Sequence, residues 1–89
     1  MKFWDWEKNK ELKGIFTGQL TSVGHFKKNV FVFRIGKETI YVWSSVQLNN
    51  LLTKVPFKTS MLIKYLGWEL MPESGRRFRN FDIEFLTDD

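Results

Sequence analysis

The chain has 89 residues, of which 43% are hydrophobic and 17% aromatic, and it contains no cysteine. This length suits one small domain, which must rely on its aromatic core because disulfides and thiolate metal sites are excluded. No apolar run approaches the roughly 20 residues of a membrane-spanning helix, and acids stand where a signal peptide needs an apolar stretch. We therefore expect a cytoplasmic protein with a single domain, residues 1–89, on or near which residues 1–10 pack as an N-terminal extension.

The net charge of +4 conceals a strongly basic middle section. Residues 12–81 carry eleven Lys or Arg and three acids, whereas residues 82–89 carry four acids and no base. A basic protein can bind nucleic acid or an anionic membrane, or its charge can have no specific meaning. Membrane-surface proteins usually present a basic amphipathic helix. Because the basic clusters here fall in predicted loops, the pattern favours nucleic acid over a membrane.

Three strands are predicted in the first half of the chain, because its hydrophobic pattern has a period of two. The first covers residues 11–23 and is interrupted by Gly14 and Gly18, which mark bulges or bends of the kind that a small barrel needs to close. After a polar loop, the second strand (30–35) and the third (38–43) form a hairpin through a two-residue turn at Gly36-Lys37.

One helix is predicted after the third strand. Ser44 and Gln47 have the spacing of a capping box, in which both side chains satisfy free amide hydrogens at the helix start. Pro56 ends the helix, since it disfavours helical geometry in the residue before it. The apolar stripe of this helix consists of Val46, Leu48, Leu51 and Leu52.

Two further strands complete the predicted fold. Residues 60–70 form the fourth strand, with a bend at Gly67, and residues 76–86 form the fifth. The order β-β-β-α-β-β is that of an all-β protein with one short helix, the five-stranded OB-fold Greek-key barrel. An SH3-like barrel is the main rival, but it does not normally place a capped helix after its third strand.

The hairpin turn also predicts which side chains share a face of the sheet. Pairing Ile35 with Glu38 and counting outward fixes the register, and directly opposed residues share a face. The predicted core face holds Phe31, Phe33, Ile40 and Val42. The opposite face holds Val30, Val32, Arg34, Thr39, Tyr41 and Trp43. In an OB-fold this second face binds ligand, together with the loops that join strands one to two and four to five.

Those two loops, residues 24–29 and 71–79, contain the basic clusters and carry aromatic residues among them. A single-stranded nucleic-acid groove needs this combination, because cations follow the phosphates while rings stack on bases. Three guanidinium groups within residues 76–79 also repel one another unless an anion is near. The candidate nucleic-acid-binding residues are Phe26, Lys27, Lys28, Arg34, Tyr41, Trp43, Lys64, Arg76, Arg77 and Arg79.

Several of these residues have an alternative structural role. Tyr41 and Trp43 could pack under the N-terminal segment, which contains three aromatic residues of its own. Phe26 could be a satellite core residue, and Arg34 and Lys64 could be ordinary solvated strand residues. The other tryptophans, Trp4, Trp6 and Trp68, are expected in or near the core.

The sequence contains no recognisable catalytic constellation. His25 has no second histidine or cysteine with which to form a metal site. Neither a phosphate-binding glycine motif nor a nucleophile elbow occurs. Asp82 and Glu84 alternate on one strand, but without a histidine base they are expected to be surface charges. We expect a protein that is not an enzyme and that uses no metal, cofactor or small-molecule substrate.

With this element order, the chain resembles the small OB-fold single-stranded-DNA-binding proteins encoded by bacteriophages. The resemblance spans about residues 14–85 and depends on the segments GIFTG (14–18), YVWSSVQL (41–48), IKYLG (63–67) and GRRFRNFDIEF (75–85). It implies DNA binding without sequence preference during phage replication or recombination in the host cytoplasm. The family's contacts on strands two and three correspond here to Arg34, Tyr41 and Trp43.

Two other functions remain open on sequence grounds. The first is cold-shock-like RNA binding, since VFVF at residues 30–33 resembles one aromatic motif of that family, although its companion lysine-glycine-phenylalanine motif is missing. The second is a protein-interaction module that uses the same aromatic face. The sequence also leaves open whether the nucleic acid is DNA or RNA and whether the chain forms a homo-oligomer.

Overall fold

The computed structural model describes residues 2–25 and 27–86. Its elements are β1 (Glu11–Val23), β2 (Lys28–Ile35), β3 (Glu38–Trp43), α1 (Val46–Leu52), β4 (Thr59–Leu70) and β5 (Arg77–Phe85). The predicted all-β class with one short helix and the predicted element order are confirmed, and the strand bounds differ from expectation by at most two residues. Within the described residues, no helix has the length and hydropathy to cross a membrane.

The five strands form one antiparallel sheet in the order β3-β2-β1-β4-β5. β1 is at its centre because its first half pairs with β4 and its second half pairs with β2. A register shift between Phe16 and Gly18 confirms the irregularity predicted at Gly18. β3 and β5 are the two edges, and no pairing between them occurs in the described part of the chain.

Gly14 has a different role from the predicted bulge. The pairing of β1 with β4 runs through this residue without a shift. A Cβ atom added here would lie 3.0 Å from the carbonyl oxygen of Arg34 and 3.1 Å from Cγ1 of Ile35. Gly14 therefore allows the backbones of β1 and β2 to approach each other closely.

The predicted register of the β2–β3 hairpin is confirmed from Val30–Trp43 to Ile35–Glu38. Gly36 has a φ of +60°, a conformation that glycine adopts at no steric cost, so the tight turn forms where it was predicted. The four residues of the predicted core face are all buried. Val30 is also fully buried although it belongs to the opposite face, where it lies between Leu20 of β1 and Trp43 of β3.

The hydrophobic core draws on all five strands, the helix and the N-terminal segment. Its rings meet mostly at tilted or edge-to-face angles, which aromatic pairs favour; Phe16, for example, lies 5.3 Å from Phe33 and 6.0 Å from Phe31. The buried members are Trp6, Leu12, Phe16, Phe31, Phe33, Ile40, Val42, Leu48, Leu52, Met61, Ile63, Tyr65 and Phe81.

The helix starts one residue later than predicted. Its N-cap is Ser45, whose Oγ accepts a hydrogen bond from the backbone N–H of Leu48 at 3.3 Å. Gln47 does not complete a capping box, because its Oε1 accepts from the backbone N–H of Phe81 on β5 instead. Only Leu48 and Leu52 of the predicted apolar stripe are buried, whereas Val46 and Leu51 are exposed. The helix therefore attaches to β5 through both an apolar face and a side-chain hydrogen bond.

The N-terminal segment lies against the free edge of β3. Phe3 forms a parallel bridge with Tyr41. The backbone N–H of Tyr41 donates to the carbonyl oxygen of Lys2, and the carbonyl oxygen of Tyr41 accepts from the N–H of Trp4. Further along, the Trp6 ring lies 5.1 Å from Phe81 and 6.1 Å from Tyr65, on β5 and β4. The segment thus contacts both ends of the sheet and covers an edge strand that would otherwise present unpaired backbone groups.

Candidate nucleic-acid interface

A groove of about 720 Å³ opens between the β1–β2 loop and the neighbouring ends of β4 and β5. Its walls also include the N-terminal segment and the junction between β3 and α1. All four tryptophans of the chain line it, and we therefore call it the tryptophan groove. Its position is set by the sheet, since β1 and β2 carry one loop and β4 and β5 carry the opposite wall.

The four indole rings divide into two pairs by exposure. Trp6 is buried and Trp4 is half-buried, so these two belong to the base of the groove and to the core beneath it. Trp43 is 40% exposed and Trp68 is 56% exposed, although both line the same groove. An exposed indole keeps a ring face or edge available for a ligand, which is the property that a stacking residue needs.

The exposure of Trp68 overturns its predicted place in or near the core. The register between β4 and β5 shifts between Tyr65 and Gly67, and Gly67 has a φ of +95°. Tyr65 opposes Phe81 before the bulge, and the bulge brings Trp68 opposite Arg79, so both β4 rings lie on the core side of the sheet. Trp68, however, lies beyond the end of the core, and its ring is exposed in the groove.

The groove is lined by cations on two sides. Lys28 lies at the start of β2, and Arg77 and Arg79 are alternate residues of β5 that share one face of the strand. The guanidinium carbon of Arg79 is 5.1 Å from the ring centroid of Trp68 and 5.9 Å from that of Tyr65. None of the described residues that line the groove is an acid. This concave surface of one charge sign attracts anions.

The wall formed by α1 is polar, but its amides are partly engaged. Gln47 Oε1 accepts the N–H of Phe81, which fixes that side chain against β5. Asn49 Oδ1 is buried, and Ser45 caps the helix. These groups line the groove without forming the open array of amides that reads base edges in pairs.

Trp43 and Tyr41 both lie under Phe3. The rings of Phe3 and Trp43 are stacked, with centroids 4.6 Å apart and planes at 6°, and the Phe3–Tyr41 distance is 5.8 Å. Tyr41 is half-buried and does not line the groove, whereas Trp43 does. Tyr41 therefore packs under the N-terminal segment, as the alternative interpretation expected. Trp43 packs against Phe3 and is also exposed in the groove.

The other candidate residues are distributed more widely. Lys27 is exposed in the β1–β2 loop, next to Lys28, and Phe26 lies outside the described residues. Arg76 is exposed in the β4–β5 connection but does not line the groove. The structure therefore brings four of the predicted residues together, namely Lys28, Trp43, Arg77 and Arg79.

Arg34 and Lys64 lie away from the tryptophan groove. Arg34 donates from Nε to the carbonyl oxygen of Gly36 at 3.1 Å and borders a second depression, which Glu84 also lines. Lys64 is half-buried, and it opposes Glu11 on β1 and Asp82 on β5. These two acids on the adjacent strands give Lys64 an ordinary cross-strand environment.

Sequence reasoning missed the contribution of Trp68 and of the N-terminal tryptophans to this groove. The bend predicted at Gly67 was the available signal for Trp68, because a one-residue bulge changes the face on which every later side chain of the strand lies. No local pattern could have placed Trp4 and Trp6 there, since their positions depend on contacts with strands more than thirty residues away.

In the part of the chain that the structure describes, no group of three or more His, Cys, Asp or Glu is arranged to hold a metal ion. No known protein family, curated protein or solved structure matches this chain.

Proposed function

We propose that this protein binds single-stranded DNA in the tryptophan groove, with little sequence preference. The observation that carries the proposal is the meeting of two exposed indoles, Trp43 and Trp68, with Lys28, Arg77 and Arg79 in one groove whose described lining holds no acid. The cations can follow the phosphates of a flexible strand while the rings stack on its bases. Because every base has a π face, stacking of this kind tolerates any sequence.

The topology supports the same proposal. A central first strand that pairs with both the second and the fourth, and a helix after the third, are features of the OB-fold. OB-folds bind oligonucleotides beside the loops that join strands one to two and four to five, and the tryptophan groove lies between those two regions. We infer an OB-fold whose edges β3 and β5 are bridged by the N-terminal segment.

The amide oxygens of α1 support weak sequence preference, because one is hydrogen-bonded and the other is buried. Asn and Gln recognise adenine when both the oxygen and the nitrogen of the amide face the base edge. Gln47 already uses its oxygen on β5, and the Asn49 oxygen is buried. Action in phage replication or recombination, and a place in the host cytoplasm, follow from the resemblance alone and remain predictions.

Intrinsic fluorescence offers a direct test, because all four tryptophans line the proposed site. Oligonucleotides of dT from roughly 4 to 16 nucleotides should quench the emission and bind more tightly than duplex of equal length. Affinity should fall with added salt, by about 0.7 log units per log unit of salt for each phosphate contacted. A tenfold preference for duplex in matched salt would refute the proposal.

The same titration separates the two rival functions. An RNA oligonucleotide of the same length that binds at least tenfold more tightly than DNA would favour the cold-shock-like function. A protein-interaction module has no reason to bind either strand, and aromatic contacts between proteins depend little on counterion release. Absence of quenching by every oligonucleotide at low salt would leave the protein-interaction module as the better proposal.

A further inference from the structure

Phe3 and Trp43 form a stacked pair of rings outside the hydrophobic core. Phe3 is half-buried and is not a member of the buried core, whereas its neighbour Trp4 packs against that core. Its ring lies parallel to the Trp43 indole, with the centroids 4.6 Å apart. A centroid distance of this size lies within the range that aromatic pairs favour.

The backbone on either side of Phe3 fixes the position of its ring. The carbonyl oxygen of Lys2 accepts from the N–H of Tyr41 at 2.9 Å, and the N–H of Trp4 donates to the carbonyl oxygen of Tyr41 at 2.8 Å. The Lys2–Glu38 ion pair at 3.0 Å adds little, because both side chains are about two-thirds exposed. Backbone pairing with β3 thus positions Phe3 beside Trp43, and a substitution that shortens the Phe3 side chain leaves those backbone bonds in place.

The Trp43 indole is confined in a second direction as well. A Cβ atom added at Gly24 in the β1–β2 loop would lie 3.5 Å from Cη2 of the indole, so the tip of the ring reaches that loop. With Phe3 on one face and the loop at its tip, the ring is held while 40% of the residue remains exposed in the groove.

From these contacts we propose that Phe3 is a positioning residue that holds the Trp43 indole ready to stack on a nucleobase. This inference rests on the proposed function, because it assigns the base-stacking part of that site. A ring ordered before binding loses less conformational freedom when the ligand arrives, and this saving appears as affinity. Phe3 does not itself line the groove, so its effect on the ligand passes through Trp43.

The test compares Phe3→Leu, which removes the flat ring, with Phe3→Tyr, which keeps it. Each variant is titrated with a dT oligonucleotide and with an abasic strand of equal length, which carries phosphates but no bases. Phe3→Leu should weaken dT binding by about two- to tenfold, the range for one side chain that must be immobilised on binding. Its affinity for the abasic strand should not change, and Phe3→Tyr should bind dT like the unaltered protein.

A second comparison shows whether the effect passes through Trp43. In a Trp43→Leu background, Phe3→Leu should cause no further loss of dT affinity. A loss that persists in this background, or one that is equal for dT and the abasic strand, would overturn the positioning role. A rise in affinity would also overturn it, because Phe3 would then compete with the base.

Thermal unfolding of each variant controls for loss of the fold, and Phe3→Met provides the same comparison if Phe3→Leu is unstable. Failure of the inference is distinguishable from failure of the proposed function. If the unaltered protein binds dT and Phe3→Leu binds equally well, only the inference fails. If the unaltered protein binds neither strand, the proposed function fails and the inference fails with it.

Discussion

The two exposed indoles of the groove are supported in different ways. Trp43 lies against another ring, Phe3, whereas Trp68 lies against the guanidinium group of Arg79. A cation beside an exposed indole contributes about 0.5–1 kcal/mol, so Arg79 and Trp68 hold each other without burying either one. The same guanidinium keeps its charge available for a phosphate. One pair thus combines the two kinds of contact that a single strand requires.

Trp68→Ala should weaken binding of single-stranded DNA by about 1–3 kcal/mol, the range for one lost base–aromatic stack. The fold should persist, because Trp68 is 56% exposed. Phe57→Ala is a matched control, since Phe57 is 57% exposed and lies outside the groove. Fluorescence anisotropy of a labelled oligonucleotide would measure both affinities, and equal losses in the two variants would contradict the role of Trp68.

At the scale of elements, the N-terminal segment is a part of the fold. Trp6 is 5% exposed and contacts Tyr65 and Phe81, so it contributes to the core between β4 and β5. Trp6→Ala should lower the free energy of unfolding by about 3–5 kcal/mol, as large aromatic truncations in cores do. Urea denaturation measures this change. A loss below about 0.5 kcal/mol, typical of surface substitutions, would place Trp6 outside the core.

The glycines of β1 provide a second prediction about elements, with a control in the same strand. Gly14→Ala should destabilise the protein by about 1–3 kcal/mol, because the new methyl group would press on the backbone of Arg34 at 3.0 Å. Gly18→Ala introduces a methyl group with no atom within 4 Å and should change stability much less. Equal unfolding midpoints for the two variants would show that β1 and β2 do not approach each other as closely as described.

The elements that could be predicted from the sequence are those governed by local rules. The Gly36-Lys37 turn determined the register of β2 and β3, and with it the buried face of that hairpin. The prediction for Trp68 was wrong because its ring lies beyond the end of the core, although the bulge at Gly67 places it on the core side of the sheet. Ser45 rather than Ser44 caps the helix, and Gln47 bonds to β5 instead of to the helix start, a tertiary contact that no local motif encodes.

At the scale of the whole molecule, the sheet gathers charges that are separated in the sequence. Lys28 and Arg77 are nearly fifty residues apart, yet both line the tryptophan groove. Arg34 and Arg76 carry the same charge, but they do not line the groove. The net charge of +4 therefore understates the local field. What matters for a polyanion is that the described lining of this concave surface carries one sign of charge.

This distribution leads to a prediction about salt dependence. Replacing Arg77 and Arg79 together with alanine should weaken binding uniformly across sequences, because phosphate contacts position a strand without reading it. Each lost contact should reduce the slope of log affinity against log salt by about 0.7, so the double variant should lose about 1.4. Replacing Arg34 and Arg76 removes the same formal charge from positions that do not line the groove, and it should leave the slope nearly unchanged. Titrations at several salt concentrations measure both slopes, and an equal reduction in the two double variants would mean that net charge, rather than the groove, holds the strand.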